Sequence, residues 1–216
     1  MDFAIARRNM VENQVRPNHV TDTRVLDTLA EVPREAFLPK ERQGVAYVDE
    51  DVPLGNGRYL MEPMILARLV QAAEIKSSDV ALVVGCASGY AAAVVAKLAV
   101  TVVALESDRT LVRTATETLA RLGVDTAAVV EGPLAEGYAR QAPYDVILID
   151  GGVEELPRIM LEQLAEGGRL IAVTGPAGRG RGVRMLRTGS SFTRVELFDA
   201  GVPILADFAA RPKFVF

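Results

Sequence analysis

From residue 64 onward, apolar positions follow two alternating patterns. Residues 64–74 read as a helix. The run VALVVG (80–85) is continuously apolar and ends in glycine, as in a strand buried on both faces. YAAAVVAKLA follows as a helix, TVVALE (101–106) as a strand, and 108–122 as the next helix. DTAAVVEG (125–132), YDVILIDGG (144–152) and GGRLIAVTG (167–175) predict three further strands, with a helix near 155–165 between the last two. Strands alternating with helices of this length build βαβ units around a parallel sheet with right-handed crossovers.

The two ends depart from this rhythm. The first fifty residues read as helical: Val25, Leu26 and Leu29 recur at helical spacing, with Thr21 or Asp22 as the cap. VPREAFLP (32–39) then breaks the helix, with prolines near both ends. At the other end, GPAGRGRG (175–182) reads as a flexible loop. FTRVELFDAGVPILADF (192–208) reads as two strands with no helix between them, and KFVF as a candidate third. The expected sheet is parallel and finishes in antiparallel strands. The division predicted is 1–63, a helical cap and substrate loop, and 64–216, the sheet domain, together forming one structural unit.

Composition narrows the chemistry. The chain has 216 residues and a net charge of −4, which argues against a nucleic-acid partner bound by bulk electrostatics. One cysteine, Cys86, and one histidine, His19, leave no internal disulfide and no ready zinc site or His-based triad. The apolar stretch from Ala91 to Leu105 is broken by Lys97 and is too short for a bilayer. The polar and charged N-terminus, MDFAIARRNMVENQ, does not resemble a signal peptide, so no membrane partner and a cytoplasmic location are expected.

In open α/β sheets, ligands bind beyond the carboxyl ends of the strands. Here the first such end is VVGCASGY (83–90). Gly85 permits the tight turn, Gly89 permits close packing of the next helix, and the helix amides face the ligand. The next strand ends in Glu106, where a carboxylate would accept hydrogen bonds from a ribose. The bland alternative is a loop that only reverses the chain, with Glu106 a solvated strand end. The G-x-x-x-G spacing does not match the dinucleotide fingerprint, and no P-loop lysine is present. A nucleoside without phosphates fits better, and S-adenosylmethionine is the common ligand of that kind.

At this point the residues resemble the protein-L-isoaspartate O-methyltransferases, class I S-adenosylmethionine enzymes that methylate isoaspartyl groups in damaged proteins. VLDTLAEVPREAFLP (25–39) looks like the family's N-terminal helix and VPR-x-x-F segment. VPLGNG (52–57) is similar to its LPIG-x-G loop, EPMILARL (62–69) to the following helix, and VVGCASGY to its EIGTGSGY loop. ALES (104–107), APYDVILID (142–150), ELP (155–157), QLAEGGRLIAVTG (163–175) and VPIL (202–205) fall in the family's order. The resemblance implies a three-layer α/β/α Rossmann-like methyltransferase fold with an N-terminal helical extension. It also implies S-adenosylmethionine as cofactor and isoaspartyl peptides or proteins as substrate. Gly85, Cys86, Ala87, Ser88, Gly89, Glu106, Ser107, Gly132, Pro133 and Leu134 would hold the cofactor. Gly57, Tyr59, Leu60, Met61, Met64 and Asp150 would form the substrate side.

The departures from the family pattern cluster in that site. The family's orienting threonine and serine fall on Tyr59 and Met61. Its glutamate before the glycine loop falls on Val83, its middle glycine on Ala87, its adenine-contacting acid on Pro133, and a threonine on Asp150. In GNGRYLMEP (55–63), Tyr59 is the one candidate for a catalytic hydroxyl. Methyl transfer to an ionised carboxylate needs alignment rather than a base. Losing an orienting hydrogen bond to a charged group therefore costs about 1.5–3 kcal/mol, which slows the reaction without abolishing it. Two other readings stay open: a non-catalytic relative that keeps the fold, and a methyltransferase with another acceptor. Cys86 is either a reactive thiol at a helix N-terminus or a small buried residue. Asp150 either hydrogen-bonds a ligand or caps the DGG turn. Arg179, Arg181, Arg184 and Arg187 form either a solvated basic run or a contact for an acidic peptide.

Overall fold

The computed structural model describes residues 2–208. The N-terminal region is helical: α1 (Phe3–Met10), a π-helical turn (Val11–Val15), a 3-10 turn (Arg16–Asn18) and α2 (Thr23–Glu31). Asp22 caps α2 by accepting from Arg24 N at 2.9 Å, and Val25, Leu26 and Leu29 are its buried stripe. A small hairpin follows, β1 (Val52–Gly55) and β2 (Arg58–Leu60). Next comes α3 (Pro63–Ala72), with proline at its first position, where a missing N–H costs nothing.

The sheet is built from β3 (Val80–Val84), β4 (Thr101–Glu106), β5 (Ala127–Glu131), β6 (Tyr144–Val153), β7 (Leu164–Thr174), β8 (Gly180–Thr188) and β9 (Ser191–Ala200). Their spatial order is β5-β4-β3-β6-β7-β8-β9. The first five run parallel; β8 pairs antiparallel with β7, and β9 antiparallel with β8. Helices α4 (Tyr90–Ala96), α5 (Arg109–Arg121) and the single turn α6 (Arg158–Leu161) complete the element order. The chain runs outward from β3 to β5, then returns to lay β6 on the other side of β3. That reversal puts a crevice at the carboxyl ends of β3 and β6.

Strand alternation divides the core. Ala81, Val83, Val102, Ala104, Val146, Leu148, Ile171 and Val173 pack with the N-terminal helices, α3 and α4. Leu82, Val84, Val103, Leu105, Ile147, Ile149, Leu170 and Ala172 pack with Leu134, Met160, Leu161, Leu205 and Phe208. The second cover is thinner: one short helix, 3-10 turns and the segment after β9.

Three expectations need correction. The helix near 155–165 is only the turn Arg158–Leu161, because β7 already begins at Leu164, pairing with Tyr144. The glycines of 175–182 are not all loop. Gly180 starts β8, and a Cβ there would meet Val173 Cγ1 at 2.7 Å, so its glycine serves close strand packing. Residues 192–208 hold one strand, not two. After Ala200 the chain makes a single parallel bridge, Gly152 to Ile204, and ends in a 3-10 turn, Ala206–Phe208. KFVF lies outside the described residues.

Candidate active site

The glycine loop sits where the pattern placed it, between β3 and α4. Gly85, Ala87 and Gly89 have φ of +74°, +47° and +101°. A Cβ at Gly89 would lie 3.3 Å from Ala115 Cβ, so glycine there lets α4 approach α5 closely. Ala87 holds a left-handed conformation that costs an L-residue roughly 1–2 kcal/mol. Its amide is thereby aimed at Glu106 Oε2, 2.9 Å away.

Glu106 is no solvated strand end: it is fully buried. Besides Ala87 N, it accepts from Ser107 N at 2.8 Å and Asp108 N at 3.0 Å. The remaining partner is Arg58. Its Nε lies 3.1 and 3.3 Å from the two Glu106 oxygens. Its Nη2 donates to Ser107 Oγ at 2.9 Å and to Asp207 Oδ2 at 2.8 Å, and Ser107 Oγ donates to Asp207 Oδ1 at 3.1 Å. Burial pulls the guanidinium pKa down, but Glu106 and Asp207 outweigh it and hold it above its ordinary value. In the hairpin turn itself, Asn56 Nδ2 donates to Asp108 Oδ2 at 2.7 Å. The β1–β2 hairpin is therefore clasped to the end of β4.

Leu205 fills the crevice between β3 and β6. A Cβ on Gly151 would meet Leu205 Cγ at 2.6 Å, and one on Gly85 would meet Leu205 Cδ1 at 3.0 Å. Leu205 N donates to Gly152 O at 2.9 Å, and Gly152 N donates to Pro203 O at 2.9 Å. Leu134, fully buried, packs in the same cluster. Gly132 donates to Glu106 O at 3.0 Å, and Pro133 is exposed at the start of a 3-10 turn.

The substrate-side candidates divide. Tyr59, Met61 and Asp150 line a cavity of about 10 Å³ together with Asp51, Val202, Pro203 and Leu205. Leu60 is buried, and Gly57 is exposed in the hairpin turn. Met64 lines a separate open groove of about 470 Å³ with Glu62, Gly178, Arg179 and Asp199. Asp150 is 8% exposed and its Oδ1 has no hydrogen-bond partner. Burial pushes its carboxyl up to about 7, against the pull of Arg34 and with help from Asp51 and Glu106. Glu62 is likewise pushed up to about 7, by burial and then by Asp49 and Asp51.

No local pattern in the sequence assigns a role to several of the site residues. Arg34, fully buried, donates through Nη2 to Met61 O at 2.6 Å and through Nε to Ala46 O at 2.6 Å, bracing the acceptor loop from beneath. Arg58 stands inside GNGRYLMEP, where attention falls on Tyr59 and Met61. A cation next to Tyr59 was the available clue. Leu205 and Asp207 lie in what read as a strand. Cys86 is a small buried residue: burial, then Glu106 and Asp150, push its thiol well above the ordinary value. Of the arginine run, Arg181 pairs with Glu196 and Asp199, Arg184 pairs with Glu74, and Arg187 donates to backbone carbonyls. Among the described residues, no group of three or more His, Cys, Asp or Glu side chains could hold a metal ion.

Comparison with known proteins decides what this arrangement belongs to. The profile of the Protein-L-isoaspartate(D-aspartate) O-methyltransferase family matches residues 6–194. The chain belongs to that family. A protein-L-isoaspartate O-methyltransferase of Methanoculleus marisnigri is 38% identical over 206 residues, covering 94% of this chain and 92% of its own. Protein-L-isoaspartate O-methyltransferase 1 of Rhodopseudomonas palustris is 38% identical over 208 residues, covering 95% and 85%. In fold, the chain is similar to a Plasmodium falciparum member solved with S-adenosyl-L-homocysteine. There the TM-score is 0.79 at 22% identity, over 93% of this chain and 98% of that one. The three-layer methyltransferase fold, mostly parallel and ending in antiparallel strands, is the one this family's resemblance implied.

Proposed function

We propose that this protein is an S-adenosylmethionine-dependent protein-carboxyl methyltransferase that acts on isoaspartyl groups in damaged proteins. Family membership across residues 6–194 carries the reading. In it, residues 1–63 form the cap and acceptor loop, and 64–216 the cofactor domain. Gly85 to Gly89, Glu106, Ser107 and the 132–134 turn would hold the nucleoside, and Tyr59, Met61 and Asp150 would face the acceptor. No helix among the described residues is long and apolar enough to cross a membrane. A cytoplasmic site of action is part of the proposal.

The residues present fit the cofactor only in part. A buried carboxylate at the end of β4, to accept from ribose hydroxyls, and a glycine loop with left-handed backbone are what a nucleoside needs. In this conformation, however, Arg58 holds Glu106, and Leu205 fills the space above Gly85 and Gly151. S-adenosylmethionine, when bound, supplies an electrophilic methyl group. The chain's own contribution is alignment and exclusion of water around the acceptor. Tyr59 lines the acceptor cavity. Asp150, near neutral pH, is partly protonated and so able to donate a hydrogen bond to a carboxylate.

The test is transfer of labelled methyl from S-adenosylmethionine to an isoaspartyl peptide, with the matching aspartyl peptide as control. Base-labile label on the isoaspartyl peptide alone is the expected result. A folded protein that labels neither peptide at high enzyme concentration would sink the reading.

A further inference from the structure

We propose that Arg58, Leu205 and Asp207 form a latch that shuts the cofactor crevice, so that a nucleoside binds only by displacing the chain's own residues. The inference rests on the methyltransferase reading above and concerns how that site is controlled.

Three observations carry it. The first is the saturation of Glu106. A carboxylate offers about four lone-pair positions. Three backbone amides and Arg58 Nε already occupy Glu106, so ribose hydroxyls must replace the guanidinium. The second is steric. Leu205 stands at the topological reversal of the sheet, where such folds bind ligands, and the side-chain-free Gly151 leaves the room it fills. The third is that the latch joins three separate parts of the chain. The hairpin supplies Arg58, the end of β4 supplies Glu106 and Ser107, and the segment after β9 supplies Leu205 and Asp207.

The latch has a strong end and a weak end. Arg58 and Glu106 are fully enclosed, with side chains 4% and 0% exposed, whereas Asp207 is 25% exposed. Beyond Ala200, Val202 is buried in the core on the other face, and the rest of the segment is held to β6 by one short bridge and by the Leu205 and Phe208 side chains. Opening therefore starts beyond that anchor, from 204–208: Asp207 passes to water and Leu205 leaves the crevice. Arg58 then lacks its outer partner. A closed form that dominates the population lowers apparent affinity by the fraction that is open.

The experiment is calorimetric titration of the full chain with S-adenosylhomocysteine, in wild type, Leu205→Ala and Asp207→Asn, with thermal melts to show folding. Asp207→Asn keeps shape and removes only charge, so it serves if Leu205→Ala fails to fold. Both variants are expected to bind about ten-fold tighter than wild type or better. Ligand is also expected to speed hydrogen exchange at the Leu205 and Phe208 amides of wild type while protecting Ala87. Equal affinity in all three proteins, without faster exchange at Leu205, overturns the latch and leaves the methyltransferase reading standing. Failure of all three folded proteins to bind overturns both.

Discussion

Two buried arginines sit at opposite ends of the same parallel sheet, and they do different work. At the amino end, Arg169 of β7 reaches Asp79 Oδ2 at 2.6 Å, Ala73 O at 2.5 Å and Glu74 O at 2.7 Å. At the carboxyl end, Arg58 reaches Glu106, Ser107 and Asp207. Arg169 spends its donors mainly on backbone carbonyls, among them those freed where α3 ends. No ligand could replace it without unpicking the helix. Arg58 spends its donors on side chains, each of which could serve a bound molecule instead. Backbone acceptors make a brace, whereas side-chain acceptors make something exchangeable.

The largest expected effect comes from breaking the brace. Arg169→Met strands the Asp79 carboxylate with one amide donor, Lys76 N at 2.7 Å. A loss of about 3–5 kcal/mol in urea unfolding is expected, with S-adenosylhomocysteine affinity of the folded protein unchanged. Arg58→Met leaves Glu106 with three amides and should cost clearly less. If Arg58→Met proved the more damaging, the distinction between brace and exchangeable partner would collapse.

Asp150→Asn is next in size and depends on pH. The folded carboxyl titrates near 7, against an unfolded value of about 3.9. The folded state therefore holds the proton more tightly, and native stability falls as pH rises from about 4 to about 7. The amide removes that cost. Asp150→Asn should stabilise by a few kcal/mol above about pH 7 and by nothing near pH 4. Thermal melts at pH 5 and pH 8 check this, and an equal gain at both would refute it. The smallest effect belongs to Ala87→Gly. It relieves a left-handed alanine but adds freedom to the unfolded chain, for a net gain under about 1 kcal/mol. Chemical denaturation midpoints resolve a change of that size.

Legibility in the sequence followed distance along the chain. Gly85, Gly89 and Glu106 could be read because a strand, a turn and a helix declare themselves within about twenty residues. The same holds for Asp22 as a cap and for β4, whose bounds match the apolar run. Arg58 meets Glu106 across 48 residues, and Asp207 across 149, so no local pattern could pair them. The segment VPILADF misled for a different reason. Its apolar residues suit a strand, but Leu205 and Phe208 are buried beneath the thin face of the sheet. Asp150 could be located but not characterised, because its pKa is set by burial and by Arg34, far away in sequence.

The outer strand also bears on how the molecule meets its own copies. Among the described residues, β9 pairs only with β8, which makes it the outer strand of the seven. Such a margin is a template for strand addition and fibre growth. Along β9, Arg194, Glu196 and Asp199 are exposed, and Arg181 of β8 ties to the two acids at 3.6 and 3.3 Å. A second copy docking edge to edge would have to strip water from those charges. The ionic ladder contributes little to holding one molecule together. Its consequence is colloidal: a strand added at that margin meets hydrated charge rather than bare apolar surface.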